Sequence, residues 1–268
     1  MILAKGLPFP PELAERFPGA GGLLCVAVKQ KPRETDRPYK VASSGLAPDY
    51  HGVVREFCSG LEQGEILCDH SLFGEKETAR RAGLGAIARN GMLWCPELKC
   101  FPYLGEIVTA SPVDTVSAGS PSPCPERPCS NTPCARCPAL AKGFCRERCI
   151  SYITQKKGPF TYEEAVRIGY NLYGCDECQK RCPLCRWEPE TVEMPPLEYW
   201  LDISKASFEE SRQRYPFLWI GRNKIRRNAL CVAYNLRLPD IEERLEKAAG
   251  DPSDTVSATA AALLERLK

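Results

Sequence analysis

Cys175-Asp-Glu-Cys178-Gln-Lys-Arg-Cys182-Pro183 is the stretch on which the fold of this chain turns. It reads C-x2-C-x3-C-P, most of the spacing by which thiolates ligate cubane iron–sulfur clusters. Four thiolates must converge on one cube, and a tight turn supplies two of them from a single C-x2-C. An earlier Cys-Pro pair, Cys137-Pro138, closes a second group made of Cys124, Cys129, Cys134 and Cys137. Two such units imply two interlocked 4Fe–4S centres, because the Cys before Pro ligates the cluster of the other unit. On that rule Cys137, Cys149, Cys175 and Cys178 hold one cluster, and Cys124, Cys129, Cys134 and Cys182 hold the other. The first group is irregular, spaced C-x4-C-x4-C-x2-C-P, and Cys145 and Cys185 are surplus. Either could take the place of a member.

Composition weighs the alternatives. The chain carries 16 cysteines in 268 residues, so disulfides come first among them. Residues 1–16 hold Lys5, Pro8, Pro10, Glu12, Glu15 and Arg16 and no apolar core, so no secretory leader is expected. No run of about 20 apolar residues exists to span a membrane. The expected compartment is the cytoplasm, where clustered cysteines bind metal more often than they pair. Tetrahedral zinc also accepts C-x2-C. The Cys-Pro pairs, and histidines confined to His51 and His70, favour iron–sulfur over zinc. A net charge of +2, from 36 basic and 34 acidic residues, gives no global attraction to a polyanion, though local patches remain open. Cys25, Cys58, Cys68, Cys95, Cys100 and Cys231 are expected to be small buried apolar residues, with a third metal site at Cys95 and Cys100 the lesser alternative.

The fold class expected is α+β in three segments. Residues 1–112 form a mixed α/β domain. Leu23-Leu-Cys-Val-Ala-Val28 has the length and apolarity of a buried strand. Asp49 can cap a helix carrying Tyr50, Val54, Phe57 and Leu61. Glu65–Asp69 and Tyr103–Thr109 read as strands, and Glu75–Leu84 as a helix closed by Gly83 or Gly85. A linker rich in Ser, Pro and Gly covers Ser111–Pro123. Residues 113–190 form a double-cluster domain of bacterial-ferredoxin type. Residues 191–268 form a short helical tail, with helices expected at 207–214, 223–236, 241–249 and 256–267. Its last unit resembles the end of a HEAT-type repeat.

Several stretches carry a more specific resemblance. Arg148-Cys-Ile-Ser-Tyr-Ile-Thr154, Lys157-Gly-Pro159 and Ile168-Gly-Tyr-Asn-Leu-Tyr-Gly-Cys-Asp-Glu-Cys-Gln179 are similar to segments of the epoxyqueuosine reductase family. So are Ala82-Gly-Leu-Gly85 followed by Asn90, and Leu104-Gly-Glu-Ile-Val-Thr109. The match covers roughly residues 20–235. It implies a cobalamin-binding α/β domain, a double 4Fe–4S domain and a helical tRNA-binding tail. The implied activity is removal of the epoxide oxygen of epoxyqueuosine in tRNA. It further implies Asp69 as proton donor, His51, Gly83, Gly85 and Asn90 beside the corrinoid, and an electron donor of flavodoxin or ferredoxin type.

The residues bear on that chemistry in their own right. Removing an epoxide oxygen as water needs two electrons and two protons, and two one-electron clusters can relay the electrons. An aspartate acting as acid near pH 7 must have its pKa raised by roughly 3 units, about 4 kcal/mol, which burial beside an apolar macrocycle can do. The structural alternative is that Asp69 merely caps a turn. His51 competes with the reading of a surface helix residue. Arg222, Lys224, Arg226 and Arg227, with Trp219 upstream, could engage phosphates and stack on a base, or form a solvated helix face. A second function class stays open: a ferredoxin-like electron carrier or partner-bound redox module without cobalamin or tRNA activity.

Overall fold

The structure is a computed structural model and describes residues 1–59, 64–69, 72, 74–113, 124 and 136–267. The chain forms two compact units. The first comprises Met1–Gln30, Asp49–Phe144 and Glu177–Trp187, and the second Lys31–Pro48, Cys145–Asp176 and Glu188–Lys268. Both units therefore draw on several stretches of sequence, which no linear reading of composition would suggest.

The first unit is built on an antiparallel four-stranded sheet. Its strand order is Ile2–Pro8, Gly22–Val28, Tyr103–Thr109, Gly64–Leu67. Gly22–Val28 is apolar on both faces because both are covered. Cys25 and Ala27 pack with Ala79, Ala82, Leu84 and Leu104. Val26 and Val28 pack with Val54, Cys58 and Ile107 on the opposite side. The two covering helices are Glu75–Arg81 and Tyr50–Ser59, close to the expected spans; Leu61 lies outside the described residues. The edge strand Ile2–Pro8 was not anticipated. Lys5, Gly6 and Pro8 break its apolar period, and an edge position is where a strand tolerates proline.

The second unit is mainly helical. Two short parallel pairings, Lys40–Val41 with Asn171–Tyr173 and Arg33–Thr35 with Glu190–Val192, tie its distant stretches together. Helix Tyr162–Arg167 begins at a capping box: Thr161 accepts from the Glu164 N–H while the Glu164 carboxylate accepts from the Thr161 N–H. The tail helices run Lys205–Arg212, Arg222–Leu236, Ile241–Ala249 and Asp254–Leu264, within two or three residues of expectation. Their core centres on Trp200, whose indole N–H donates to the Tyr39 hydroxyl at 2.7 Å, while that hydroxyl donates to the Pro195 carbonyl at 2.7 Å. A buried indole and phenol thus satisfy each other, as burial of polar atoms requires.

Candidate functional site

The strand Gly64–Leu67 ends in a turn that carries Asp69 at φ +52°, a left-handed conformation few residues other than glycine adopt. Aspartate is among the better-tolerated side chains there. The turn brings the Asp69 carboxylate to 3.5 Å from His51 Nε2, and the Tyr50 hydroxyl hydrogen-bonds to the same carboxylate. Both partners come from the first turn of helix Tyr50–Ser59. His51 is itself held from behind. Its Nδ1 meets Asp49 Oδ1, and its backbone N–H donates to the same oxygen at 3.0 Å. Burial raises the Asp49 carboxyl, but the His51 hydrogen bonds and the charges of His51 and Arg55 outweigh it and leave it below the usual range. Tyr50 stacks on Tyr103 with ring centroids 4.6 Å apart. Burial, then the Asp69 charge, pushes the Tyr50 phenol well above its ordinary value, so Tyr50 stays a donor. The described residues leave Asp69 open: its side chain is 71% exposed.

Gly83, Gly85 and Asn90 lie in the same unit, and each has a structural duty. Gly83, at φ +76°, lets the chain leave helix Glu75–Arg81. A Cβ on Gly85 would sit 2.1 Å from the Trp94 carbonyl oxygen. The Asn90 Oδ1 accepts from the Met92 N–H at 3.1 Å. These duties hold with or without a bound group, so the corrinoid assignment rests on the resemblance.

The cysteines divide by burial. Cys25, Cys58, Cys95, Cys100 and Cys231 are buried, as expected, while Cys68 is half-buried; Cys124, Cys137, Cys145, Cys149, Cys175, Cys178, Cys182 and Cys185 are all partly exposed thiols outside any disulfide. Partly exposed cysteine sulfur, with no imidazole among these residues, is the donor chemistry an iron–sulfur cluster takes. Cys129 and Cys134 lie outside the described residues, and among the described residues no metal-ligating group of three or more is gathered. Cys124, Cys137, Cys178 and Cys182 belong to the first unit, and Cys149 and Cys175 to the second. The local anchors are clear. Cys124 Sγ accepts from the Arg89 N–H at 3.2 Å. Cys149 is the N-cap residue of helix Ile150–Gln155. Asp176, next to Cys175, accepts from the Ser43 N–H at 2.5 Å. The Trp94 indole donates to Leu184 O at 2.9 Å, holding the turn that follows Cys182. Surplus Cys185 packs on the apolar cluster of Cys95, Cys100 and Leu98.

The basic run of the second unit separates into two kinds of residue. Arg227 is fully buried and donates to the carbonyls of Thr154, Lys156 and Gly158 and to Asn228 Oδ1, with its guanidinium 3.7 Å above the Phe160 ring. It is a structural residue. Arg226 pairs with Asp251 at 2.6 Å. Lys157, Lys205, Arg212, Arg222, Lys224 and Arg226 line an open groove of about 1120 Å³. Burial, then the charges of Arg227 and Lys157, hold the Lys224 ammonium below its ordinary value. Burial and the Arg226 charge do the same to Arg222. Crowded cations of this kind favour an anion. Trp219, 62% exposed, stands beside them with Lys224 Nζ 5.9 Å above its ring.

No protein-family model matches the chain. It is 29% identical over 286 residues to the epoxyqueuosine reductase of Bacillus subtilis (strain 168), covering 91% of this chain and 71% of that protein. A crystal structure of epoxyqueuosine reductase with an epoxyqueuosine-modified tRNA-Tyr stem loop superposes with TM-score 0.81 at 24% identity, over 100% of this chain and 86% of that one. By sequence and fold, the chain is a relative of the epoxyqueuosine reductases. A structure of epoxyqueuosine reductase from Bacillus subtilis, with its catalytic aspartate loop swung out of the active site, matches at TM-score 0.72 and 25% identity over 97% of this chain and 84% of that one. Likeness to epoxyqueuosine reductases thus runs through nearly the whole chain rather than the cysteine segment alone. The sequence gives little sign of two residues of this unit, Tyr50 beside Asp69 and Glu106 within the sheet. Tyr50 was visible only as a helix-face aromatic, and Glu106 only as one letter in Leu104-Gly-Glu-Ile-Val-Thr109. No periodicity marks either, because their placement depends on contacts across the sheet.

Proposed function

We propose that this chain is an epoxyqueuosine reductase, which removes the epoxide oxygen of a queuosine-type base in tRNA with Asp69 as proton donor. The observation that carries the reading is the Asp69 turn itself. A carboxylate on a left-handed turn, held between an imidazole and a phenol, is placed to exchange a proton with a group bound over it. The relatives' shared name supports the activity, and the catalytic aspartate loop named for the Bacillus subtilis structure supports an aspartate as the type of residue that serves it. In this reading Tyr50 and His51 orient Asp69, and His51 is fixed in turn by Asp49. Bound substrate then supplies the cover that the described residues leave off, strengthening every hydrogen bond beneath it.

Cys137, Cys149, Cys175 and Cys178 would hold one 4Fe–4S cluster and Cys124, Cys129, Cys134 and Cys182 the other, with the spacing of the cysteines and the partial exposure of the described ones as support. A cobalamin would lie against His51, Gly83, Gly85 and Asn90, and when bound would supply cleavage of the carbon–oxygen bond. Lys157, Lys205, Arg222 and Lys224 would take backbone phosphates of the tRNA, with Trp219 available to stack. The electron donor in this reading is of flavodoxin or ferredoxin type, and the compartment is the cytoplasm. Among the described residues no helix is long and apolar enough to cross a membrane. The three-segment division, with a corrinoid-type domain, a double-cluster domain and a HEAT-like tail, belongs to the same proposal.

One observation favours a second reading. Three of the four residues assigned to the corrinoid already serve the fold, and an electron carrier without cobalamin or tRNA activity would keep them for that reason. Oxygen-free purification followed by iron, sulfide and cobalt assay, cobalamin titration, and turnover of an epoxyqueuosine-bearing stem loop separates the two. Turnover lost in Asp69→Asn supports the reductase. Iron without cobalamin binding or turnover selects the carrier. Folded protein devoid of iron and sulfide overturns both.

A further inference from the structure

Asn228 is fully buried on helix Arg222–Leu236 and ties together two other segments of the second unit. Its Nδ2 donates to the Thr154 carbonyl and to the Leu172 carbonyl, each at 2.8 Å. Its Oδ1 accepts from Arg227 Nε at 3.1 Å and from Nη2 at 2.9 Å. Two acceptors on one side and a guanidinium on the other leave the amide a single orientation. Thr154 belongs to helix Ile150–Gln155, whose N-cap residue is Cys149. Leu172 belongs to the strand Asn171–Tyr173, which runs through Gly174 into Cys175. A second tie joins the same two segments directly. The Thr154 hydroxyl accepts from the Gly174 N–H at 2.9 Å and donates to the Ser151 carbonyl at 3.0 Å. Thr154 is as inaccessible as Asn228. Burying an amide and a hydroxyl is costly unless their hydrogen bonds are made, and once made they fix one arrangement of the backbone around them. The arrangement fixed here is the spacing between the segment that carries Cys149 and the segment that carries Cys175.

We propose that Asn228 and Thr154 are positioning residues for the iron–sulfur cluster that Cys149 and Cys175 share, and that they set its reduction potential. The inference rests on the assignment of those two thiols to one cluster, which the reductase and the carrier readings have in common. Neither residue ligates iron. Each acts through backbone: Asn228 on the carbonyls of Thr154 and Leu172, and Thr154 on the Gly174 amide, one residue before Cys175. Slack between the two segments would let water reach the ligating sulfurs and alter the hydrogen bonds they accept. Solvent exposure and hydrogen bonds to sulfur tune the potential of such a cluster, and groups behind the ligands change metal affinity as well. The cluster assigned to Cys124, Cys129, Cys134 and Cys182 takes no ligand from either tied segment, which makes it the internal control.

The test uses the full chain purified without oxygen, as wild type, Asn228→Leu, Thr154→Val, Thr154→Ser and Cys149→Ala. Leucine and valine nearly keep the shape and remove the hydrogen bonds, whereas serine keeps the hydroxyl. Iron and sulfide are assayed, and the midpoint of each cluster is read by electron paramagnetic resonance during a reductive titration. Cys149→Ala removes one signal and so identifies the cluster concerned. Expected in Thr154→Val is about a tenfold shift in the one-electron equilibrium of that cluster, about 59 mV. The other cluster stays unmoved, and Thr154→Ser regains the wild-type value. Asn228→Leu should shift the same midpoint further or lose that cluster alone; should it fail to fold, Thr154→Val decides. Folded variants with both midpoints at wild-type values, or with both moved alike as general loosening of the core would move them, overturn the positioning role alone. Wild type devoid of iron and sulfide, or a Cys149→Ala protein that keeps both signals, overturns the cluster assignment and the positioning role with it.

Discussion

Replacing Glu106 by Gln is expected to stabilise the protein by an amount that grows with pH. The side chain is buried, both oxygens lack partners among the described residues, and burial with Glu75 nearby holds its pKa at about 8 against an ordinary 4.5. The folded pKa lies above the unfolded one. Below pH 4.5 both states carry the proton and Glu106 costs little more than glutamine. Between pH 4.5 and 8 the unfolded chain has released the proton that the folded chain retains, so stability falls by about 1.4 kcal/mol per pH unit. By pH 7 the cost is about 3 kcal/mol, and above pH 8 it levels off. Glutamine has no such slope. The assay is anaerobic urea unfolding of both proteins at pH 5, 6, 7 and 8, reading the difference between them so that other titrating groups cancel. A difference that stays flat within about 0.5 kcal/mol across that range would refute the reasoning, because it would mean Glu106 folds as an ordinary carboxylate.

Arg227→Met should cost about 3 kcal/mol in the same unfolding assay, since the Lys156 and Gly158 carbonyls lose a charged donor in a buried setting while removal of the desolvated cation offsets part of the loss. Its effect on tRNA affinity, measured at a temperature where the variant is folded, should be small beside that of Lys224→Ala, whose ammonium lines the groove. Gly85→Ala should fold poorly or lower Tm by several degrees, because its methyl meets the Trp94 backbone oxygen and backbone cannot step aside. The check is a thermal melt, and an unchanged Tm would mean that the turn yields to a methyl group. Cys178→Ala should abolish one cluster and halve the iron content of oxygen-free protein; full iron and redox activity would overturn the assignment of Cys178 and its three companions to one cube.

Much of the fold was legible because its signals are local. The apolar run Leu23–Val28 and the strand Tyr103–Thr109 announce themselves by composition, and the tail helices by their period and caps. Thr161-x-x-Glu164 also holds a readable helix start, a capping box overshadowed by the cysteines around it. Ile2–Pro8 was illegible because an edge strand needs only backbone partners, which the neighbouring strand supplies. Arg227 shows the limit most plainly. Its sequence neighbours Arg222, Lys224 and Arg226 line a groove, whereas one position along the helix it points inward onto three carbonyls.

The amino-acid sequence alone determined where the cysteines stand: their number and spacing are covalent facts, and the cluster assignment proposed for them rests on that spacing. It also indicated a short strand at Glu65–Asp69, which the structure places at Gly64–Leu67 with Asp69 in the turn beyond it. Only the tertiary structure decided that Tyr50 and His51 arrive at Asp69 from another element, and that Glu106 is sealed within the sheet away from water. Proximity across a sheet and loss of water are properties of packing. They set which carboxyl keeps its proton, and no linear pattern encodes them.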